Sequence, residues 1–184
     1  MRTQPQEVIA KLEADNSRLA KEKILLDAMN EGLDEFFEGL KMCLDKLYTF
    51  GVKQVPTKDE VVAGQGCPWN VFKDLAEKLY NRELTGHNAR DAINLVMSSA
   101  TAEQWNGFYR RILIKDLRCG VSEKTVNSVA KKNKFGKYMV PVFTCQLAHD
   151  SANHEKKLVG EKMLEVKLDG VRTLAIVHPD GKVD

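Results

Sequence analysis

The chain has 184 residues, 43% hydrophobic and 29% charged, and its 28 Lys and Arg against 26 Asp and Glu give a net charge of +2. This composition excludes a wholly disordered chain and a fibrous repeat. No apolar run approaches the ~20 residues that span a bilayer, and residues 1–5 show no apolar signal-peptide region. We therefore expect a cytoplasmic protein that contains one domain and part of another.

Residues 1–137 carry apolar side chains at helical spacing. Three stripes of this kind predict the buried faces of three helices, and the whole region predicts an all-α domain of about six to eight helices. The stripes consist of Leu33, Phe36, Phe37, Leu40, Leu44 and Leu47, then Val71, Phe72, Leu75 and Leu79, and then Ala89, Ala92, Ile93, Val96 and Met97.

Capping residues mark several helix starts in this region. Thr101 and Gln104 have the spacing of a capping box, and Ser17 and Ser122 each precede a predicted helix. Their side-chain oxygens can accept hydrogen bonds from the N–H groups that a first helical turn leaves unpaired. Helix breaks are predicted at residues 51–56, 64–68 and 85–88.

Positive charge is concentrated near the end of the helical region. Residues 109–137 contain nine Lys and Arg against only Asp116 and Glu123, a net charge of +7, whereas residues 1–60 have a net charge of −3. A dense basic segment interrupted by turns suits a phosphate backbone, because each neutralised phosphate releases condensed counterions. A solvated helix face is the alternative interpretation of the same segment.

The four cysteines are widely separated and contain no C-x-x-C pair, so reduced thiols are predicted. Cys145 stands near His149 and His154, but this group lacks the upstream cysteine pair of a closed zinc site. No metal site is therefore predicted from these residues. The thiols are Cys43, Cys67, Cys119 and Cys145.

The helical periodicity ends after residue 137, which predicts a domain boundary. Residues 138–160 are predicted to be a linker and the entry to a second domain, and residues 161–184 its first strands. The segment 164–169 alternates with period two, and the turn residues 178–182 predict a hairpin. Because this hairpin is incomplete at residue 184, the second domain is expected to be truncated.

One face of the predicted strand carries chemically active side chains. Glu165, Lys167 and Asp169 share that face, and Gly170 and Arg172 follow. A lysine amine becomes a nucleophile when desolvation or nearby positive charge lowers its pKa. The string K-x-D-G-x-R resembles motif I of the covalent nucleotidyltransferases, the superfamily of ATP-dependent DNA ligases and mRNA capping enzymes.

Further segments resemble the ATP-dependent DNA ligases in the order of that family. Residues 115–126 are similar to the D-L-R-x-G-x-S/A-E-x-T/S-V segment of the helical DNA-binding domain of larger ligases. Residues 84–89 resemble the L-T-G-N-x-A loop of ligases from tailed bacteriophages, with His87 inserted before Asn88. Residues 48–56 and 146–148 also resemble family segments. The chain is thus identified as resembling a phage-type ligase.

The resemblance implies an enzyme that seals nicks in duplex DNA during replication, repair and recombination. Lys167 would attack the α-phosphorus of ATP and carry AMP, with Mg²⁺ as the expected divalent ion. Glu165 matches the position beside the adenine, and Arg172 the position near the ribose and phosphate. Asp169 and Gly170 complete the nucleotide-binding motif. The expected fold is an all-α DNA-binding domain followed by the first strands of an α+β adenylation domain.

The residues expected to bind DNA lie in two loops that precede helices. Backbone N–H groups at a helix start can bind a phosphate, and glycine permits its close approach. Such contacts do not read bases, as an enzyme that seals nicks at any sequence requires. The expected DNA-binding residues are Thr85, Gly86, Asn88, Lys115, Arg118, Gly120, Val121, Ser122 and Lys124.

Two further interpretations remain open at this point. The chain can be a DNA-binding module without catalysis, or, more remotely, an mRNA-capping type of nucleotidyltransferase. In the ligase interpretation it is a monomer that binds nicked DNA and ATP, and it lacks the later nucleotide-binding motifs and the OB-fold. We therefore expect the 184 residues to bind DNA without sealing nicks alone.

Overall fold

A computed structural model describes residues 3–61, 64–144, 151–163, 166, 175–181 and 183. These residues are mainly helical and include no β-strand, which agrees with the predicted all-α region. The strands predicted within 161–184 lie mostly outside the described residues. The chain divides into two compact units, Met1–Thr144 and Cys145–Asp184.

The first unit contains eight α-helices among its described residues. A π-helical segment, Trp105–Tyr109, connects α6 to α7, so that these three elements form one continuous helical stretch. The helices are α1 Pro5–Ala14, α2 Arg18–Asn30, α3 Asp34–Leu44, α4 Trp69–Tyr80, α5 Gly86–Ser99, α6 Ala102–Gln104, α7 Arg110–Leu113 and α8 Glu123–Lys132.

Aromatic side chains from α3, α4 and the π-helical segment form the centre of the core. Phe36 and Phe108 stack with ring centroids 6.1 Å apart, and Phe72 stacks on Tyr109 at 4.3 Å. A Cβ at Gly39 would lie 2.5 Å from the Phe108 ring, so glycine allows α3 to approach this segment closely. Burial of these large rings supplies much of the hydrophobic stabilisation of the unit.

Several helices end in a Schellman motif, and basic residues occupy the left-handed position in three of them. Arg82, Lys115 and Lys134 follow α4, α7 and α8 with φ values of 62°, 60° and 61°. After α7, for example, the Lys115 N–H donates to the Ile112 carbonyl and the next N–H donates to the Arg111 carbonyl, both at 3.0 Å. Glycine is the usual residue at this position, and Gly32 occupies it after α2.

The predicted helix caps and stripes are correct in part. The Thr101–Gln104 capping box forms, with the Gln104 N–H 3.1 Å from the Thr101 hydroxyl. Ser17 and Ser122 occupy N-cap positions, but neither side chain makes the capping hydrogen bond. Two stripe residues are wrongly predicted as buried: Leu47 lies beyond the end of α3 and is 42% exposed, and Val71 is 44% exposed.

The last part of the first unit is held by side-chain hydrogen bonds. A 3₁₀ turn, Gly136–Tyr138, places the Tyr138 hydroxyl 2.8 Å from an Asp34 carboxylate oxygen at the start of α3. Asn127 of α8 then bonds both the N–H and the carbonyl of Val140, at 2.7 and 2.9 Å. The chain up to Val140 is therefore attached to the helical unit.

The described part of the second unit is short. It contains two 3₁₀ turns, Ser151–Asn153 and Glu155–Lys157. Val177 and Val183 form an isolated antiparallel bridge, and the Gly181 N–H donates to the His178 carbonyl at 2.9 Å. The turn therefore forms where the sequence predicted a hairpin.

Candidate nucleic-acid interface

Two adjoining cavities form a basic groove on the first unit, which we define by its cations Lys53, Arg82, Arg90 and Arg110. Their volumes are about 440 and 650 Å³, and Lys53 and Arg90 line both. Among the described residues, no Asp or Glu lines either cavity and none forms an ion pair with any of the four cations. The groove is therefore suited to an anionic ligand.

Arg82 is held in place at the edge of the groove. Its guanidinium donates to the Thr49 hydroxyl at 3.3 Å and packs against the backbone of Gly51. A Cβ at Gly51 would overlap the guanidinium, and the φ of Gly51 is 67°, so glycine is required there for two reasons. These contacts orient the Arg82 side chain but do not neutralise its positive charge.

The first predicted loop lies at the same groove. Thr85 and Gly86 both line the smaller cavity, and Asn88 is exposed on the first turn of α5. Gly86 has φ 56°, and a Cβ built on it would meet no atom within 4 Å, so its surroundings are open. The Thr85 side chain does not cap α5, which leaves N–H groups of the first turn for an external acceptor.

Arg110 connects the groove to the second predicted loop. Its Nε donates to the Val55 carbonyl at 2.9 Å, which holds the guanidinium beside the larger cavity. Partial burial lowers the pKa of Arg110, and the positive charges of Arg118 and Arg111 lower that pKa further. The guanidinium groups of Arg118 and Arg111 are thus close enough to repel that of Arg110, and an anion bound beside Arg110 would offset this repulsion.

The second loop carries Arg118, Gly120 and Ser122 at the surface before α8, and Lys124 is exposed within the first turn of α8. Arg118 has φ 54°, and its side chain lies 3.8 Å from Asp116 in an exposed ion pair, a type that contributes little to stability. Val121 is only 9% exposed. Its side chain belongs to the core, so the DNA contact predicted for Val121 can come only from its backbone.

The structure gives Lys115 a role that differs from the predicted DNA contact. Its Nζ donates to the carbonyl oxygens of Met42, Asp45 and Tyr48, at 2.7, 2.6 and 2.6 Å. An ammonium group has three N–H donors, so none remains for a phosphate. Burial lowers the pKa of Lys115, the direction expected for an ammonium removed from water.

Part of the charge of residues 109–137 is neutralised within the fold. Arg111 lies 3.0 Å from Glu13 and Lys137 2.9 Å from Asp34. Lys124, Lys131 and Lys134 are exposed and form no ion pair with the described residues. The predicted basic segment is therefore a smaller cationic surface than its sequence charge suggests.

Three cations of the groove, Lys53, Arg82 and Arg90, were not among the residues predicted to bind DNA. They come from three separate segments: Arg82 and Arg90 each precede an acidic residue, and Lys53 is the one charged residue within 47–57. Arg82 and Arg90 flank the glycine loop at 84–89, and that proximity was the signal available in the sequence. Lys53 falls within the aromatic and glycine stretch at 48–56.

The residues of the K-x-D-G-x-R string lie outside the described residues. This applies to Lys167, Glu165, Asp169, Gly170 and Arg172. Within the part of the chain that the structure describes, no group of three or more His, Cys, Asp or Glu could hold a metal ion. No helix of that part is both long and apolar enough to cross a bilayer.

Comparison with solved structures shows similarity over almost the whole chain. A structure titled "Pmar-Lig_PreS3" is 60% identical and has a TM-score of 0.79, and one titled "Pmar-Lig_Pre." is 59% identical with a TM-score of 0.78. Each comparison covers 98% of this chain but 41% of the solved chain, so this chain spans less than half the length of both neighbours. No protein-family model and no curated protein matches the sequence.

Proposed function

We propose that this chain is the N-terminal part of an ATP-dependent DNA ligase of the phage type, in which the helical unit binds nicked duplex DNA. The observation that carries the proposal is the basic groove, because its two cavities are lined by four cations and by no described Asp or Glu. The abbreviation in the titles of the two similar structures supports a ligase, as do the ligase-like segments at 84–89 and 115–126.

The proposed mode of DNA binding is contact with the phosphate backbone. Arg82 and Arg90 would flank the strand where it passes Gly86, and Arg110 would extend the same path toward Arg118. Guanidinium groups bind phosphate oxygens through a fixed fork of donors, and each neutralised phosphate releases counterions. These groups contact no base edge in this arrangement, so affinity should depend on salt rather than on sequence.

The proposed chemistry is assigned to the string at 167–172. The amine of Lys167 would attack the α-phosphorus of ATP, pyrophosphate would leave, and AMP would remain on the lysine through a P–N bond. Glu165 and Asp169 offer hydrogen-bond acceptors for the nucleoside amine and hydroxyls, and Arg172 offers donors for a phosphate. These side chains together fit a nucleotide. A Mg²⁺ ion would supply charge neutralisation at the phosphates.

The DNA-binding part is tested with a charge reversal in the groove. Lys53→Glu combined with Arg90→Glu should lower the slope of log affinity against log salt for a nicked duplex by about two, since two phosphate contacts are lost. The matched control is Lys11→Glu with Lys23→Glu, which changes the net charge equally. These exposed lysines lie on α1 and α2 and line neither cavity of the groove. Equal slopes for the two variants would contradict the groove as the interface.

The enzymatic part is tested with α-labelled ATP and Mg²⁺. A label that survives denaturation, is lost in Lys167→Ala and persists in Lys162→Ala would support the lysyl-AMP step. Lys162 is an exposed lysine five residues away and serves as the matched control. Absence of label together with salt-sensitive DNA binding would mean that these 184 residues bind DNA without carrying out the lysyl-AMP step themselves. Label that persists in Lys167→Ala would contradict the assignment of Lys167 as the nucleophile.

A further inference from the structure

Lys21 of α2 is a buried lysine that lies beneath the loop before α8. Lys21 is only 8% exposed, and its Nζ donates to the Cys119 carbonyl at 2.8 Å. The two residues are 98 positions apart, so this contact attaches α2 to the 119–122 loop. It comes from the N-terminal region that has a net negative charge, where no DNA contact was predicted.

The hydrogen-bonding of Lys21 differs from that of the other buried lysine. Lys58 is 5% exposed, and its Nζ donates to the carbonyls of Met97, Ser98 and Ala100 at 3.0, 2.8 and 2.6 Å, which uses all three donors. Among the described residues, Lys21 has only the Cys119 carbonyl as an acceptor and no carboxylate within 4.0 Å. Two of its N–H donors therefore have no acceptor in the part of the chain that the structure describes, although buried polar groups are normally paired.

Gly120 leaves an opening directly above this ammonium group. A Cβ built on Gly120 would lie 2.6 Å from the Lys21 Nζ, whereas hydrogen makes no such clash. Gly120 is exposed and has φ 64°. The next residues lead to Ser122, whose side chain does not cap α8, so N–H groups of the first turn of this ten-residue helix face the same loop.

We infer that the Lys21 Nζ binds a phosphate of the DNA backbone at the 120–122 loop, through the opening that Gly120 provides. The phosphate would accept the two unused donors of Lys21 together with N–H groups at the start of α8. Glycine is needed at 120 for its φ and also because a side chain would separate the ammonium from the phosphate. This inference rests on the proposed DNA binding and adds a contact from a helix outside the basic segment.

The first test replaces the charge but keeps a donor for the Cys119 carbonyl. Lys21→Gln should lower the slope of log affinity against log salt for a nicked duplex by about 0.9, and affinity at 0.1 M salt by about eightfold. The control Lys58→Gln removes a buried lysine whose donors are all used within the fold. It should leave the slope unchanged. Urea unfolding of both variants measures the structural cost separately.

The second test closes the opening and leaves the lysine in place. Gly120→Ala should lower the slope by about as much as Lys21→Gln, and the double variant should lower it no further. Gly32→Ala is the matched control, because Gly32 also has a positive φ of 66° but no atom within 4 Å of a built Cβ. This control carries similar backbone strain without a clash, so its slope should equal that of the wild-type chain.

The outcomes separate this inference from the proposed function. If the wild-type chain shows no salt-dependent binding to nicked duplex, the proposed function is wrong and the Lys21 contact with it. If the wild-type chain binds but Lys21→Gln and Gly120→Ala keep the wild-type slope, only the Lys21 inference is overturned. A reduced slope in both variants, with unchanged slopes in both controls, supports it.

Discussion

The buried Lys58 and the half-buried Lys115 each join separate segments of this fold through backbone carbonyls. Lys58 binds the carbonyls at the end of α5, and Lys115 binds those at the end of α3 and in the loop that follows. The last carbonyls of a helix have no intrahelical partner and carry partial negative charge. An ammonium group donates hydrogen bonds to these carbonyls and also compensates their charge. Three charge-assisted hydrogen bonds offset the desolvation of each cation.

A pair of substitutions separates the structural lysine from the exposed one. Lys115→Met should lower the free energy of unfolding by about 2–3 kcal/mol, because it leaves partly buried carbonyls without their donor. The salt slope of DNA binding should not change. Lys124→Met should do the opposite: it lies exposed on α8, so the slope should fall by about 0.9 and stability should stay constant. Urea unfolding measures the stability of both variants, and a salt titration of DNA binding measures their slopes. An altered slope for Lys115→Met would indicate that Lys115 does contact DNA.

At three helix ends, a basic residue occupies a left-handed position that glycine would adopt at lower energetic cost. Arg82, Lys115 and Lys134 adopt the left-handed conformation after α4, α7 and α8, which costs a residue with a Cβ roughly 1 kcal/mol. Arg82 and Lys115 each use the position to direct a side chain onto a neighbouring loop. Lys134 is exposed and makes no side-chain hydrogen bond or ion pair with the described residues.

Lys134→Gly should therefore stabilise the first unit. We expect a gain of about 0.5–1 kcal/mol in the free energy of unfolding, because glycine adopts this conformation without steric cost. Gly32→Ala makes the reverse change at the equivalent position after α2 and should destabilise the unit by a similar amount. Chemical denaturation of both variants measures the difference, and a loss of stability in Lys134→Gly would mean that its side chain contributes more than the backbone strain costs.

The helices of the first unit could be predicted from the sequence, whereas the surroundings of individual cations could not. Helical periodicity and the Thr101 cap depend on neighbours within one or two turns, so they could be predicted. The burial of Lys58 and Lys115 depends on carbonyls 39–42 and 67–73 positions away, which no local pattern reveals. The basic groove was missed for the same reason, since Lys53, Arg82 and Arg90 meet only in the folded chain.

At the scale of the whole molecule, burial controls the response of the first unit to alkali. Burial raises the pKa of Cys43 from 9.0 to about 12 and that of Tyr48 from 10.0 to about 12. Burial also raises the pKa values of Cys67 and Cys119. These groups stay protonated in the folded chain at pH values where the unfolded chain has lost their protons. Unfolding then releases protons, so a rise in pH favours the unfolded state.

Stability should consequently be greatest below about pH 9 and fall as pH rises toward 12. Each raised group contributes a slope of at most about 1.4 kcal/mol per pH unit within its own interval, and the lowered pKa of Lys115 opposes only part of this. Urea unfolding at pH 7, 9, 10 and 11 measures the decline. Cys43→Ala removes the most strongly shifted thiol and should decline less steeply above pH 9, although the cavity lowers its stability at every pH. Parallel curves for the two proteins would show that the Cys43 thiol is not the group whose proton is released.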